Sequence, residues 1–232
     1  MPRSHPSASH PNSAATYNKR GNVLHELGQY QEAIAHYEQA IALDAGFALA
    51  YHNRAIALQN LKKHAQAIAS FARAIELSPP NVNAHLDQAL CYLQMGNFEM
   101  GWREHEWRWQ KGDDIGFGHF PEPRWTGLEP LQGKNILLHS EQGLGDTLQF
   151  CRYVKQVADL GARIILAVQQ PLRALLSQLE GIPVLLTLSA GDRLPAFDYQ
   201  CPLISLPLAF KTTLDSIPAP LAYIKSSADK VT

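Results

Sequence analysis

The sequence lacks an excess of charge of either sign: 20 Lys and Arg stand against 21 Asp and Glu in 232 residues. That balance excludes a chain-wide field drawing in nucleic acid or anionic lipid. Cysteine is scarce, with Cys91, Cys151 and Cys201 widely separated and odd in number. A disulfide framework is excluded, and each cysteine sits in an apolar setting that suits a small buried hydrophobe in a reducing compartment. No apolar run approaches the ~20 residues that span a bilayer. The amino terminus, MPRSHPSASHPNSA, has no apolar core of a secretory signal. Its Ser, Pro and His content predicts a disordered tail over residues 1–13. These absences predict a soluble cytoplasmic protein with no nucleic-acid partner and no membrane span. It is long enough to bury a core as one large domain or two small ones.

What the sequence does contain is a repeat. Tyr17-Asn-Lys-Arg-Gly21 aligns with Tyr51-His-Asn-Arg-Ala55 at an offset of 34 residues. Leu24 then matches Leu58, Ala33 matches Ala67, Tyr37 matches Phe71 and Ala40 matches Ala74. A third copy begins at Val82, with His85, Ala89 and Tyr92 in register. This period and pattern resemble the tetratricopeptide repeat, a helix–turn–helix unit of 34 residues. Small residues at Gly21, Ala55 and Ala89 and at Ala33 and Ala67 let paired helices approach closely. Tyr37 and Phe71 fill the gap to the next repeat, and Pro79-Pro80 breaks the chain between copies.

The third copy changes in its second helix, NFEMGWREHEWRWQ. Trp102 and Trp109, seven residues apart, share a helical face with Glu106 between them. That stripe predicts packing of the repeat end onto the next domain, with ligand stacking as the rival reading. Residues 112–132 read as an ordered linker pinned by Trp125. From residue 133 short apolar strands alternate with helices: strands at 135–140, 163–168, 183–188 and 198–204, and helices at 146–160 and 171–180. Such alternation predicts a parallel sheet. The fold class is therefore α plus α/β: repeats over 14–111, the linker over 112–132, and a Rossmann-like half-domain over 133–232.

The loop HSEQGLGDTLQF, from His139 to Phe150, carries the candidate chemistry. In a parallel α/β sheet it lies at the carboxyl edge, where ligands bind. Gly143 and Gly145 suggest a phosphate cradle, but Leu148 replaces the third glycine of the dinucleotide fingerprint. Asp146 also sets a carboxylate where a pyrophosphate would sit. No nicotinamide, flavin or metal is predicted. Asp146 has two readings. As a helix cap, its carboxylate takes first-turn N–H groups while Gln149 reaches back, and the glycines supply the dihedrals of a tight turn. As chemistry, Asp146 or Glu141 is a general base for an acceptor hydroxyl, with Gln142, Gly143 and Gly145 lining the substrate. His139 reads as a core histidine.

The whole resembles bacterial proteins in which tetratricopeptide repeats are fused to a heptosyltransferase-like glycosyltransferase domain of GT-B architecture. The resemblance rests on Gly101-Trp-Arg-Glu-His-Glu-Trp-Arg-Trp109, Pro123-Arg-Trp125-x-Gly127, the segment Glu141 to Tyr153, Phe197-Asp198, and Cys201 to Pro207. It implies sugar transfer from a nucleotide sugar, with the Gly145-Asp146 pair on the acceptor-side lobe and Asp146 the favoured base. It also implies a second, donor-binding lobe, which residues up to Thr232 do not include. The expectation is a chain inactive alone, needing no cofactor of its own. The rival function is a scaffold that binds an extended peptide through Asn22, His52, Asn53, Gln59 and Asn60 on the inner face of the repeats. Repeats that clamp chaperone tails hold a terminal carboxylate with cations. Here Asn18, Asn83 and Asp87 stand at those cationic positions, so that clamp is not expected.

Overall fold

The computed structural model describes residues 12–111, 120–179, 182–187, 194–219 and 224. Residues 1–11 of the expected tail therefore lie outside the described residues. The chain divides into two compact units, Met1–Gln110 and Lys111–Thr232.

The described residues of the first unit form three helical hairpins: α1 (Ala14–Glu26) with α2 (Tyr30–Leu43), α3 (Ala48–Asn60) with α4 (His64–Leu77), and α5 (Val82–Gln94) with α6 (Phe98–His105). Side-chain caps start three of them. Ser13 Oγ accepts from the Thr16 amide, Asn81 Oδ1 from that of Ala84, and Asn97 Oδ1 from that of Met100. The predicted small positions do close the hairpins: Ala33, Ala55, Ala67 and Ala89 are wholly buried. A Cβ on Gly21 would lie 2.5 Å from Tyr37 Cε1, so only glycine lets the ring lie against α1. Phe71 packs among Ala55, Leu58, Ala67, Ala74, Ala84 and Cys91, joining the second hairpin to the third.

The tryptophan stripe is corrected. The helix stops at His105, and Glu106–Lys111 is a 3₁₀ segment, so the seven-residue spacing no longer sets Trp102 and Trp109 on one face. The tighter winding turns Arg108 inward, 2% exposed, where Nη1 bonds the Glu106 carboxylate (2.7 Å) and the His105 carbonyl (3.2 Å). An arginine thus satisfies a carbonyl at the helix end. Trp107 stacks on His85 at 3.8 Å, and His85 Nδ1 meets Glu104 Oε2 at 2.5 Å.

The described residues of the second unit form four parallel strands in the order β3-β2-β1-β4: β1 (Asn135–His139), β2 (Arg163–Val168), β3 (Val184–Thr187) and β4 (Tyr199–Pro202). Ile136, Leu137 and Leu138 are wholly buried, the continuous apolar run of a strand covered on both faces. The Asp198 carboxylate accepts from the Asn135 amide at 2.8 Å and from Lys134 at 3.3 Å. The Asn135 N–H, then Lys134, hold its pKa below the ordinary aspartate value, so this residue is a structural clasp between β1 and β4.

The expected helix over 146–160 is instead α7 (Leu144–Phe150), a 3₁₀ turn Cys151–Tyr153 and α8 (Val154–Asp159). Three residues per turn align Phe150 with Tyr153, both buried, and the Tyr153 hydroxyl reaches Thr212 Oγ1 at 3.0 Å. The expected helix over 171–180 is a 3₁₀ turn Gln170–Leu172 leading into α9 (Arg173–Leu176), followed in the chain by α10 (Leu206–Ala209) after β4. Residues 188 and 180–181, where that strand and helix were expected to end, lie outside the described residues. Within 120–132, Trp125 N bonds Gln200 O at 2.8 Å and Gln200 N bonds Pro123 O at 3.1 Å, so this stretch runs beside β4.

Candidate functional site

In the repeat unit, α1 and α3 carry the expected groove residues. Asn53 Nδ2 donates to Asn18 Oδ1 (3.1 Å) and to Asn22 Oδ1 (3.0 Å), and Tyr37 OH also donates to Asn22 Oδ1 (3.0 Å). Burial, then the charge of Glu26, pushes the Tyr37 phenol up to about 12, so it stays a donor at any working pH. These bonds fix both amides. With its oxygen taken twice, Asn22 has its NH₂ left to donate. Asn53, whose NH₂ is spent, has its carbonyl left to accept. Both side a cavity of ≈ 170 Å³ lined by Asn22, His25, Glu26, Tyr37, Asn53 and Ile56. Asn60 joins it indirectly, through Nδ2 to His25 Nε2 at 3.0 Å.

His52 and Gln59 are not in that lining. His52 faces α5: Nε2 lies 3.4 Å from Asp87 Oδ2, and its ring meets Phe71 edge-on at 5.5 Å. Burial holds the His52 imidazole below its ordinary pKa against the opposing pull of Asp87. Gln59 is half-buried on the same helix. Sequence reasoning missed Tyr37, His25 and Glu26 as cavity residues. The last two follow Asn22 by three and four positions on α1, and helical spacing alone places them on its face.

At the carboxyl end of β1, Ser140, Glu141 and the preceding His139 are 2%, 8% and 2% exposed. His139 is the expected core histidine, with Nε2 bonded to Gln200 Oε1 at 3.1 Å and its ring edge-on to Phe120. Gln142, Gly143 and Gly145 are exposed and Asp146 half-buried, so the turn brings these four together while Glu141 faces inward. The cap reading is corrected in detail. Gly143 is the N-cap and Asp146 the third helical residue, whose carboxylate reaches back to the Gly143 amide at 3.1 Å; that back-bond, assigned to Gln149 from sequence, belongs to Asp146. Nor do the glycines supply special dihedrals. Gly143 is extended with φ −66°, Gly145 lies within α7, and a Cβ there would meet nothing within 4 Å.

Gln169, missed from sequence, ties the loop to the end of β2. Its Oε1 accepts from Thr147 Oγ1 (2.9 Å) and its Nε2 donates to the Gln142 carbonyl (2.8 Å). Ser140 Oγ is buried without a hydrogen-bond partner among the described residues. Burial pushes the Cys91 and Cys151 thiols up to about 11 and 12, which excludes them as nucleophiles. Among the described residues no helix is long and apolar enough to cross a membrane.

These helical hairpins are tetratricopeptide repeats. Residues 21–62 match the family described as TPR repeat, and residues 48–81 match the tetratricopeptide repeat. Protein FlbA of Caulobacter vibrioides is 29% identical over 153 residues, covering 64% of this chain and 26% of FlbA. The chain thus spans about a quarter of that relative, and the matched length exceeds the repeat unit Met1–Gln110. Among solved structures, the second TPR of Spaghetti (RPAP3) bound to the HSP90 peptide SRMEEVD is similar at 28% identity. It covers 40% of this chain and 87% of that one, with a TM-score of 0.40. MamA is similar at 24% identity over 44% of this chain and 60% of its own, with a TM-score of 0.42.

Proposed function

We propose that the repeat unit is a protein-interaction module that binds an extended peptide along α1, α3 and α5. The observation carrying this reading is the locked pair of amides. Asn22 offers N–H groups and Asn53 a carbonyl, which is what one residue of extended backbone needs for its own C=O and N–H. Tyr37 and Asn18 hold the pair in place before any ligand arrives, so little ordering is lost on binding. The test is a random-sequence peptide display selected against the full chain. Selected peptides should bind with roughly tenfold loss in Asn53→Leu, the weight of about one or two hydrogen bonds. Circular dichroism should show that variant folded. Equal affinity for the variant, or no enriched peptide, sinks the reading.

A second reading concerns the α/β unit, as the acceptor-side lobe of a nucleotide-sugar transferase. It is supported by the strand order, which reverses beside β1 and so opens a crevice at the carboxyl ends of β1 and β4, where such sheets hold ligands. Gly145 also leaves the loop surface bare although neither dihedral nor packing demands a glycine there, while a Cβ on Gly143 would lie 3.3 Å from Asp146 Oδ2. Asp146 or Glu141 would then take the acceptor proton. The chain's amide resonances, recorded with a panel of hexoses, heptoses and nucleotide sugars, should move at Gln142, Gly143 and Gly145. No movement with any of them rejects the lobe as a sugar site.

A further inference from the structure

The 34-residue register also shows what the outer side of each first helix receives. Position for position, Val23 of α1 corresponds to Ala57 of α3 and Cys91 of α5, and Arg20 corresponds to Arg54 and Gln88. Ala57 and Cys91 are wholly buried: Ala57 shares a cluster with Ala33 and Tyr37 of α2, and Cys91 shares one with Phe71 of α4. The residues at the Arg20 position reach those same preceding helices. Arg54 Nη1 lies 3.9 Å from the Glu38 carboxylate of α2, and Gln88 Nε2 donates to the Ile68 carbonyl of α4 at 3.0 Å. The chain therefore builds one interface twice, α2 on α3 and α4 on α5. On α1 the same positions are open. Val23 is 57% and Leu27 68% exposed, four apart on one stripe. Arg20 is exposed too, its guanidinium 5.5 Å over the Tyr17 ring as that of Arg54 lies over Tyr51, and it meets no carboxylate among the described residues. A repeat face that stays in water is polar; this one is not.

We infer that the outer face of α1 docks the second helix of a helical hairpin from another protein, in the way α2 meets α3. The incoming helix carries a small residue and, four positions on, a large apolar one, as Ala33 and Tyr37 do in α2 and Ala67 and Phe71 in α4. Val23 and Leu27 take that apolar side. An acidic residue beside the large one, in the place of Glu38, pairs with Arg20 as Glu38 does with Arg54. This face is separate from the peptide site. Asn22 precedes Val23 by one residue, about 100° around the helix, and lines the cavity it shares with Asn53.

The test uses the full chain and a helix-stapled peptide with the α2 sequence YQEAIAHYEQAIAL. Titrated into the isotope-labelled chain, it should move the amide resonances of Arg20, Val23 and Leu27. Val23→Asp should weaken binding roughly tenfold or more, because a carboxylate would be buried against the apolar side of the probe. Val23 is exposed in the free chain, so the unfolding midpoint should stay where it is. Arg20→Glu should cost about two- to fivefold, and a probe carrying Glu38→Arg should recover it, which fixes the register. Asn53→Leu, which alters the cavity alone, should leave the titration unchanged, so a failure here is separate from a failure of the peptide site. The inference falls if the probe moves no resonance of α1 or if Val23→Asp binds it as well as wild type. It falls equally if the free chain self-associates through α1 and Val23→Asp makes it monomeric, since the face then belongs to a second copy.

Discussion

Replacing Phe71 by alanine is expected to lower the stability of the repeat unit by about 3–5 kcal/mol, the range for deleting a buried aromatic ring. The upper part of that range applies because of the neighbours. Phe71 is wholly buried, and Ala55, Ala67, Ala74 and Ala84 around it are side chains too short to move into the void. The ring meets His52 of α3 edge-on and shares one apolar cluster with Ala84 and Cys91 of α5, so it lies in the core common to both hairpins. Stability in a repeat stack is a sum of hairpin and interface contributions, so the loss falls on the interface that holds the third hairpin. Urea unfolding followed by far-ultraviolet circular dichroism should show a lower midpoint, and the early loss should report the α5–α6 hairpin. Phe71→Leu keeps most of the volume and should cost about 1 kcal/mol. Equal midpoints for wild type and Phe71→Ala would remove Phe71 as the keystone between repeats.

That prediction could be written from sequence, because the residues that make the repeat are the ones that pack it. An offset of 34 aligns Tyr37 with Phe71 and Gly21 with Ala55, and close approach demands small against large at those places. The end of the repeat was less legible. A seven-residue tryptophan spacing says helix, yet the chain tightens after His105, because Arg108 gains a carboxylate and a helix-end carbonyl by turning inward. Periodicity carries no record of a hydrogen bond won by a charged side chain.

The α/β unit divides the same way. The strands, as apolar runs, lay within a residue or two of where they were expected. The helix after β1 did not, since the 3₁₀ turn Cys151–Tyr153 is set by a tertiary bond from Tyr153 to Thr212, 59 positions away. At the candidate loop the sequence placed Asp146 at the helix start, but not its partner. Which N–H the carboxylate takes depends on where the helix begins, and that boundary moved to Leu144. In the repeat unit, Asn22 and Asn53 were legible from the 34-residue register as a pair, and they line one cavity. Their hydrogen-bond sense was not, because it is imposed by Tyr37 from the other helix of the hairpin.

Gly127→Ala is the second change with a large expected effect, about 3–5 kcal/mol against the α/β unit. Gly127 has φ +91°, and a Cβ there would lie 2.1 Å from the Ala209 carbonyl oxygen and 2.8 Å from its carbon. Those are backbone atoms of α10 and cannot rotate aside, so the segment must move. What it would carry with it is the anchor of the 120–132 stretch. Trp125 is 2% exposed, its Nε1 donates to Glu129 O at 3.0 Å, and its ring meets Phe210 edge-on at 5.5 Å. Gly133 separates the two causes. It also has positive φ, +72°, but a Cβ there would meet nothing within 4 Å. Gly133→Ala should therefore show only the left-handed strain, about 1–2 kcal/mol, and leave Trp125 buried. Acrylamide quenching of a chain in which Trp125 is the sole remaining tryptophan reads the difference. Gly127→Ala should expose the indole and Gly133→Ala should not. Equal quenching and equal midpoints for the two would mean that α10 yields, and that the contact with Ala209 does not hold the segment to the sheet.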